Sequence, residues 1–583
     1  MMDRKRSGEK LNLAIFLLLS SVLVYSQEGQ APAIHQEMQH HESMVATMKI
    51  LSDPWQQTAT TSHESCARFE EGSIVQDPPI LSSHNGVLEV DFDYRTMTDI
   101  EGLTRYCYLA NNHLQAPILQ VYPGDLLTIH FHNNLPPAMT VGPMTGMLMP
   151  SPPQGGPCRG GIMTGSSTNI HFHGMNVPPT CHQDDVIHTL IQPGEEFDYK
   201  LRIPWNEPPG LYWYHPHPHG FTEPQTLGGA SGPIIVKGIE SVNPKLAGLQ
   251  ERVLVVRDQI LPGDESNDPA APAKDLSLNY VPVPYPDYPP AVIMMRPSEI
   301  QFWRFLNASA DTILDLQLLF DGAPQPLGVV AFDGVPLLSP SGVFDGSIRW
   351  MNHILLPPAG RVEFIMKGPS EDVETATLIT RRVPTGPDGD NDPERPLATI
   401  RAIEDAPEPP LVSHARHLRA APPMRFVSLT NAKPLRQRTL YFSEVLQDPN
   451  DPDSPTTFLV TVDGQTPEPY DPSNPPNIIV HDGTVEDWIV QNRSKENHEF
   501  HIHQLHFMLL ERNGKRLKNP ELRDTVDIPY WSGHGPYPSV KIRLDFRDPE
   551  IVGLFVYHCH IAEHEDGGMM GAIKVLPATL SEK

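Results

Sequence analysis

Three stretches of the chain repeat one pattern: a polar turn, a short apolar strand, and a second polar turn. Val121-Tyr122-Pro123-Gly124-Asp125 leads into 126–131 and then Asn133-Asn134. Met295-Arg296-Pro297-Ser298-Glu299 leads into 300–306 and then Asn307, and Val480-His481-Asp482-Gly483-Thr484 leads into 485–490 and then Gln491-Asn492. Each is followed by a second strand and, later, by another turn-led strand, over 192–203, 358–366 and 538–546. Repetition on this scale predicts three copies of one β-sandwich unit. Composition sets the boundaries at 80–237, 238–403 and 424–583. The stretch from Pro384 to Pro423, rich in Pro, Asp and Arg and without periodicity, reads as a crossing linker with 404–423 as its core. No helix of consequence is predicted.

Composition sharpens this picture. The 64 prolines and 41 glycines among 583 residues suit many short strands. With 71 acidic against 43 basic residues, nucleic acid is excluded as a partner class, and cationic or neutral substrates are favoured over anions. Residues 1–26 read as an export signal. Arg4, Lys5 and Arg6 precede an apolar run from Leu11 to Tyr25, too short for a membrane span, with Ser26 at the cleavage edge. The expected location is secreted or periplasmic, with no stable membrane insertion after cleavage. Residues 27–79 form a leader whose His35–Met48 tract carries imidazoles and thioethers and is read as a polar, poorly ordered segment. Four of the five cysteines (Cys66, Cys107, Cys158 and Cys181) can form two disulfides in an oxidising compartment, and three pairings are open. Two Asn-x-Ser/Thr sequons, at Asn307 and Asn492, argue against heavy glycosylation.

The candidate chemistry lies in the outer two repeats. His558-Cys559-His560, followed by His564 and by Met569-Met570, offers a thiolate, imidazoles and a thioether. A blue-copper site takes two His, one Cys and a weak axial Met, so Cys559, His564 and Met569 supply three of four. On an extended strand His558 and His560 point away from Cys559 and could serve a second metal centre. Three more His-x-His groups occur: His171/His173, His215/His217 (with His219 in phase), and His501/His503 after His498. The middle repeat offers Phe320-Asp321-Gly322 and Ala331-Phe332-Asp333 at comparable places, with no His pair. So many buried imidazoles would be costly without a metal or partner.

In order and spacing these motifs resemble those of the multicopper oxidases, over about 80–577. The ending His564-Glu565-Asp566-Gly567-Gly568-Met569-Met570 is most similar to the bacterial cuprous oxidase and spore-coat laccase branch. The resemblance implies an all-β chain of three consecutive cupredoxin-like Greek-key β-sandwich domains. It also implies four coppers: type 1 on His498, Cys559, His564 and Met569 (Met570 as the alternative axial ligand), type 2 on His171 and His501, and two type 3 ions on His173, His215, His560 and on His217, His503, His558. His219 is then an edge-of-site residue. The implied reaction is four one-electron oxidations at type 1 copper, electrons passing through Cys559 to His558 and His560, with dioxygen reduced to water at the trinuclear cluster. Glu565 and Asp184, with Asp185 as an alternative, match the family's proton-relay carboxylates.

Phenols or aromatic amines are the expected reductants, with Cu(I) or Fe(II) as the alternative and a monomer as the expected state. Met139, Met144, Met147, Met149 and Met163 crowd one loop of the first repeat. Soft thioethers suit Cu(I), but they also fill apolar gaps. A non-catalytic copper-binding protein is the competing reading, and two linked centres argue against it.

Overall fold

The computed structural model describes residues 66, 68–99, 102–137, 156–261, 271–283, 289–339, 342–412, 425–426, 428–448 and 454–578. The export signal, the His35–Met48 tract and Met139, Met144, Met147 and Met149 lie outside them. The described chain is all-β: six sheets face each other in pairs across three hydrophobic cores. The first core lies between strands of 80–236, the second between strands of 250–412, and the third between strands of 436–576.

The threefold echo is a structural repeat. In each sandwich the first long strand pairs in parallel with the turn-led strand: Val87–Thr98 with Leu126–Asn133, Gln250–Ile260 with Ile300–Asn307, and Arg436–Leu446 with Thr484–Asn492. Each turn-led strand then pairs antiparallel with the later one: Glu196–Arg202, Arg361–Lys367 and Ser539–Phe546. The repeated asparagine has one job in all three copies. Its amide bridges two backbone carbonyls, Ser166 and Ile191 for Asn133, Thr312 and Leu356 for Asn307, and Glu496 and Ile528 for Asn492. Its Oδ1 accepts the amide two residues on, closing the turn. Both sequon asparagines are therefore buried structural groups.

One expectation is corrected. The stretch read as a linker contains strand Arg395–Ala402, which sits in the second sandwich between Ala291–Met295 and Ala376–Thr380. Leu411–Val412 also pairs with Gln250–Glu251. Leu397, Ala398 and Ile400 are its buried face; Arg395 and Pro396 hid the alternation, and the proline is tolerated where the ladder shifts register. The His-x-His strand of the first sandwich spans only Gly210–His215, because Pro216 and Pro218 cannot donate to a ladder. Short helices Thr222–Leu227 and Ala562–Asp566 do form, and they meet where Asp566 accepts the Thr222 and Glu223 amides at 3.1 and 2.9 Å. The cysteines pair as Cys66–Cys107 and Cys158–Cys181, leaving Cys559 free and buried.

Candidate metal centres

Two strands of the third sandwich set up an outer centre and half of an inner one. His498–Ile502 runs antiparallel to Gly553–Cys559, pairing Phe500 with Cys559 and His501 with His558. Alternation sends Cys559 to the core side and His501 and His558 to the other. Cys559 Sγ lies 3.6 Å from both His498 Nδ1 and His564 Nδ1, which are 3.1 Å from each other. Two ring nitrogens and a sulfur thus converge on one point, with a hydrogen bond from the Glu499 amide to the sulfur at 3.3 Å. Burial pushes the thiol well above its ordinary range, so a thiolate here needs a cation beside it. Met569 packs in the same core as Cys559. Met570 pairs with His558 and packs on the opposite side with Val186, Ile187 and Val556. Between the two axial candidates, only Met569 is on the Cys559 side.

Eight histidines form the inner centre: His171, His173, His215, His217, His501, His503, His558 and His560, none more than 2% exposed. Strand His171–His173 pairs with Gly210–His215, placing His171 opposite His215, and the third sandwich supplies the other half. Most rings have one nitrogen tied outward and the other pointing inward. His171 Nδ1 sits 3.0 Å from Asp184, His173 Nε2 3.2 Å from Asp524, and His215 Nδ1 2.9 Å from the Pro216 carbonyl. His501 Nδ1 donates to the Asp524 carbonyl at 2.8 Å and His558 Nδ1 to the Cys559 carbonyl at 2.8 Å. The opposite atoms, His171 Nε2, His173 Nδ1, His215 Nε2 and His501 Nε2, are buried without partners, as are both ring nitrogens of His560. His217 Nε2 and His503 Nε2 face His558 Nε2 at 3.3 and 3.1 Å.

Burial, reinforced by neighbouring imidazoles, holds His171 down to about 3; burial outweighs Glu565 to do the same for His217. His171 and His217 are thereby held neutral, and the unpartnered ring nitrogens converge, which is what a group of metal ions requires. His173, His215 and His560 lie with ring centres 5.0–5.7 Å apart, and His171 and His501 at 5.9 Å. Distance alone does not sort the eight, since His171 also stacks on His503 at 3.7 Å. His219 lies apart from them, edge-on to Tyr470, and lines a cavity of about 540 Å³ with His217 and Met163.

The predicted carboxylates separate clearly. Asp184 is buried against His171 and the Phe172 amide, and burial raises it to about 7 against the pull of that amide. Asp185 instead turns to His188 at 3.0 Å. Glu565 is fully buried, accepts from Thr222 Oγ1 at 2.9 Å, and has His217 Nε2 3.3 Å from Oε1. Burial would raise it, but His217 and His558 prevail and hold it well below the usual carboxylate range.

The sequence reading missed what surrounds the outer centre. A cavity of about 810 Å³ ends on His564 and is lined by Asp311, Asp388, Asp390, Asp392, Glu444, Glu496 and Glu563 against Arg493 and Lys495. Glu444 Oε1 lies 2.9 Å from His498 Nε2, and Glu496 Oε1 lies 3.3 Å from His564 Nε2. Burial and the Glu444 carboxylate raise Glu496 to about 9. Burial also acts on Glu444, but the His498 contact prevails and keeps it low. These acids come from all over the second and third sandwiches, and no local pattern marks them.

A multicopper oxidase family model matches residues 445–579 and another matches 163–241. The chain is 23% identical over 476 residues to the multicopper oxidase mco of Staphylococcus haemolyticus, covering 80% of this chain and 83% of that one. It is 22% identical over 513 residues to the iron transport multicopper oxidase FET3 of Gibberella zeae, covering 81% and 73%. Its fold resembles that of a multicopper oxidase from Campylobacter jejuni, described as a metallo-oxidase, with a TM-score of 0.62, 24% identity, and coverage of 87% and 96%.

Proposed function

From the premise that the chain belongs to the multicopper oxidase family, as a copper-dependent oxidoreductase using dioxygen, we propose that its reducing substrate is a small metal cation, Fe(II) before Cu(I). We assign the outer centre to type 1 copper on His498, Cys559, His564 and Met569. The inner histidines take three more ions: His171 and His501 the type 2, and His173, His215, His560 and His217, His503, His558 the type 3 pair. Copper, when bound, supplies one-electron oxidation at the outer centre and reduction of dioxygen to water at the inner one.

One observation carries the substrate reading: the acidic cavity reaches the outer nitrogens of both type 1 histidines through Glu444 and Glu496. A cation held there would sit one hydrogen bond from each ring. The lining has carboxylates and no thioether, which suits a harder ion than Cu(I). Phe458, its aromatic ring, is already stacked on His564 at 4.4 Å, leaving little for a phenol to pack against. The iron-transport and metallo-oxidase descriptions of two similar proteins fit this reading. Within the protein, Cys559 joins the centres through its neighbours His558 and His560, and Glu565 Oε1 is within reach of His217 to deliver protons by way of Thr222. Two disulfides support an exported chain.

Steady-state oxidation of Fe(II), Cu(I), a phenol and an aromatic amine, with dioxygen uptake recorded, tests the proposal. The highest kcat/KM is expected for Fe(II). A phenol or amine turning over with the highest kcat/KM would reverse the substrate reading.

A further inference from the structure

The middle sandwich has no histidine pair, yet it reaches the inner centre. We propose that Arg361, from this sandwich, is a positioning residue for the inner histidines, acting through Asp524. The inference rests on the copper assignment above.

Arg361 opens strand Arg361–Lys367 and is fully buried. Its guanidinium grips Asp524 with both ends, Nη1 on Oδ1 at 2.7 Å and Nη2 on Oδ2 at 2.5 Å. The remaining N–H groups donate to the carbonyls of Leu211, Ala359 and Asp333 at 3.2, 2.9 and 3.0 Å. All five donors are used, so the fork has one orientation.

Asp524, itself fully buried, then acts twice. Its Oδ1 faces His173 Nε2, and its backbone carbonyl accepts from His501 Nδ1. One residue thus fixes the tautomer and tilt of a first-sandwich ring and a third-sandwich ring, whose other nitrogens point inward without partners. A buried carboxylate without a cation would not hold this place; Arg361 is that cation.

Two further features fit the same arrangement. Gly174, next to His173, has φ +84°, and a side chain there would put its Cβ 2.5 Å from Arg361 Nη2 and from Asp524 Oδ2. Leu211, in the strand that ends at His215, has its amide held by Glu363 Oε1 at 2.9 Å and its carbonyl by Arg361. The sandwich without ligands therefore braces ligand-bearing strands of both its neighbours.

The test uses the copper-loaded full chain with Arg361→Met, Arg361→Lys, and the charge-neutral double variant Arg361→Met/Asp524→Asn, which keeps a folded sample in hand if the single change does not. Copper per chain, the blue absorption band and the type 2 electron paramagnetic resonance signal are read together. All variants are expected to keep the blue band and its anaerobic bleaching by substrate. Arg361→Met and the double variant should lose inner copper at about 10–100-fold lower chelator concentration and show an altered type 2 signal. Arg361→Lys, with one contact in place of two, should fall between. An Arg361→Met or double variant with the parental type 2 signal and parental copper retention overturns the proposal. A parent that carries no inner copper would instead overturn the assignment on which it rests.

Discussion

The outer and inner centres are both made of buried imidazoles, but their second nitrogens are held differently. At the outer centre Glu444 and Glu496 hold His498 and His564, and both acids line an acidic cavity. At the inner centre the holders are the carbonyls of Pro216, Asp524 and Cys559 and the fully buried Asp184 and Asp524 carboxylates. The outer arrangement presents negative charge to whatever enters the cavity. The inner one locks rings in place and exposes almost none of them. The same residue type thus serves recognition of a cation in one place and permanent retention of metal in the other, and the holder decides which.

The largest effects come from removing one centre and leaving the other. Cys559→Ser should abolish the intense visible band and all turnover while inner copper remains, as copper analysis and the type 2 resonance would report. His503→Ala should do the reverse, keeping the blue band and its reduction by substrate but losing dioxygen uptake. If either variant lost both centres together, their independence would be disproved. Next in size is Glu565→Gln. Reoxidation of the reduced enzyme by dioxygen should slow by about 10²-fold, the scale of a positioned proton donor, with copper content and anaerobic type 1 reduction unchanged. Unaltered reoxidation would remove Glu565 from proton delivery.

A smaller and more selective effect is expected at the cavity. A hydrogen bond to a charged group contributes about 1.5–3 kcal/mol. Glu444→Gln should therefore lower kcat/KM for Fe(II) by about 10–100-fold, with little change for a neutral phenol. An equal loss on both substrates would mean that Glu444 tunes the copper and does not recognise the cation.

The inner histidines and Cys559 were legible because their chemistry is local: alternation on a strand puts residues i and i+2 on one face, and the motif travels with it. His498 and the choice of ligand sets came through resemblance. Resemblance also preferred Met569 over Met570 and Asp184 over Asp185, and the fold separates each pair, because adjacent residues of like chemistry differ only in which way they point. Arg361, Asp524, Glu444 and Glu496 left no trace in the sequence reading. Asp524 reaches His501 because Thr525 pairs with it across strands, and Arg361 arrives from another sandwich, so neither has a neighbour in sequence to mark it. Arg395–Ala402 was missed because a buried arginine and a proline interrupt its apolar face.

The smallest predicted effect separates acids of the cavity that carry charge from those that do not. Asp392 lines it but is buried, and its carboxyl is raised to about 8, burial acting first and the nearby Asp390 adding to it against the donated Ile313 amide. Near pH 6.5 it is protonated, so Asp392→Asn should leave KM for Fe(II) unchanged, unlike the Glu444 variant. The linkage has a definite sign. Below about pH 4 the carboxyl is protonated in both folded and unfolded chains and contributes nothing. Between about 4 and 8 the unfolded chain has lost this proton and the folded chain keeps it, so stability falls as pH rises, by at most about 1.4 kcal/mol per unit. Asparagine can still accept the Ile313 amide but has no proton to lose. The thermal midpoint of Asp392→Asn should therefore gain on the parent steadily from pH 5 to pH 8. A gap that stays constant over that range would mean that Asp392 is ionised in the folded chain, and the cavity would then hold one more negative charge for its cation.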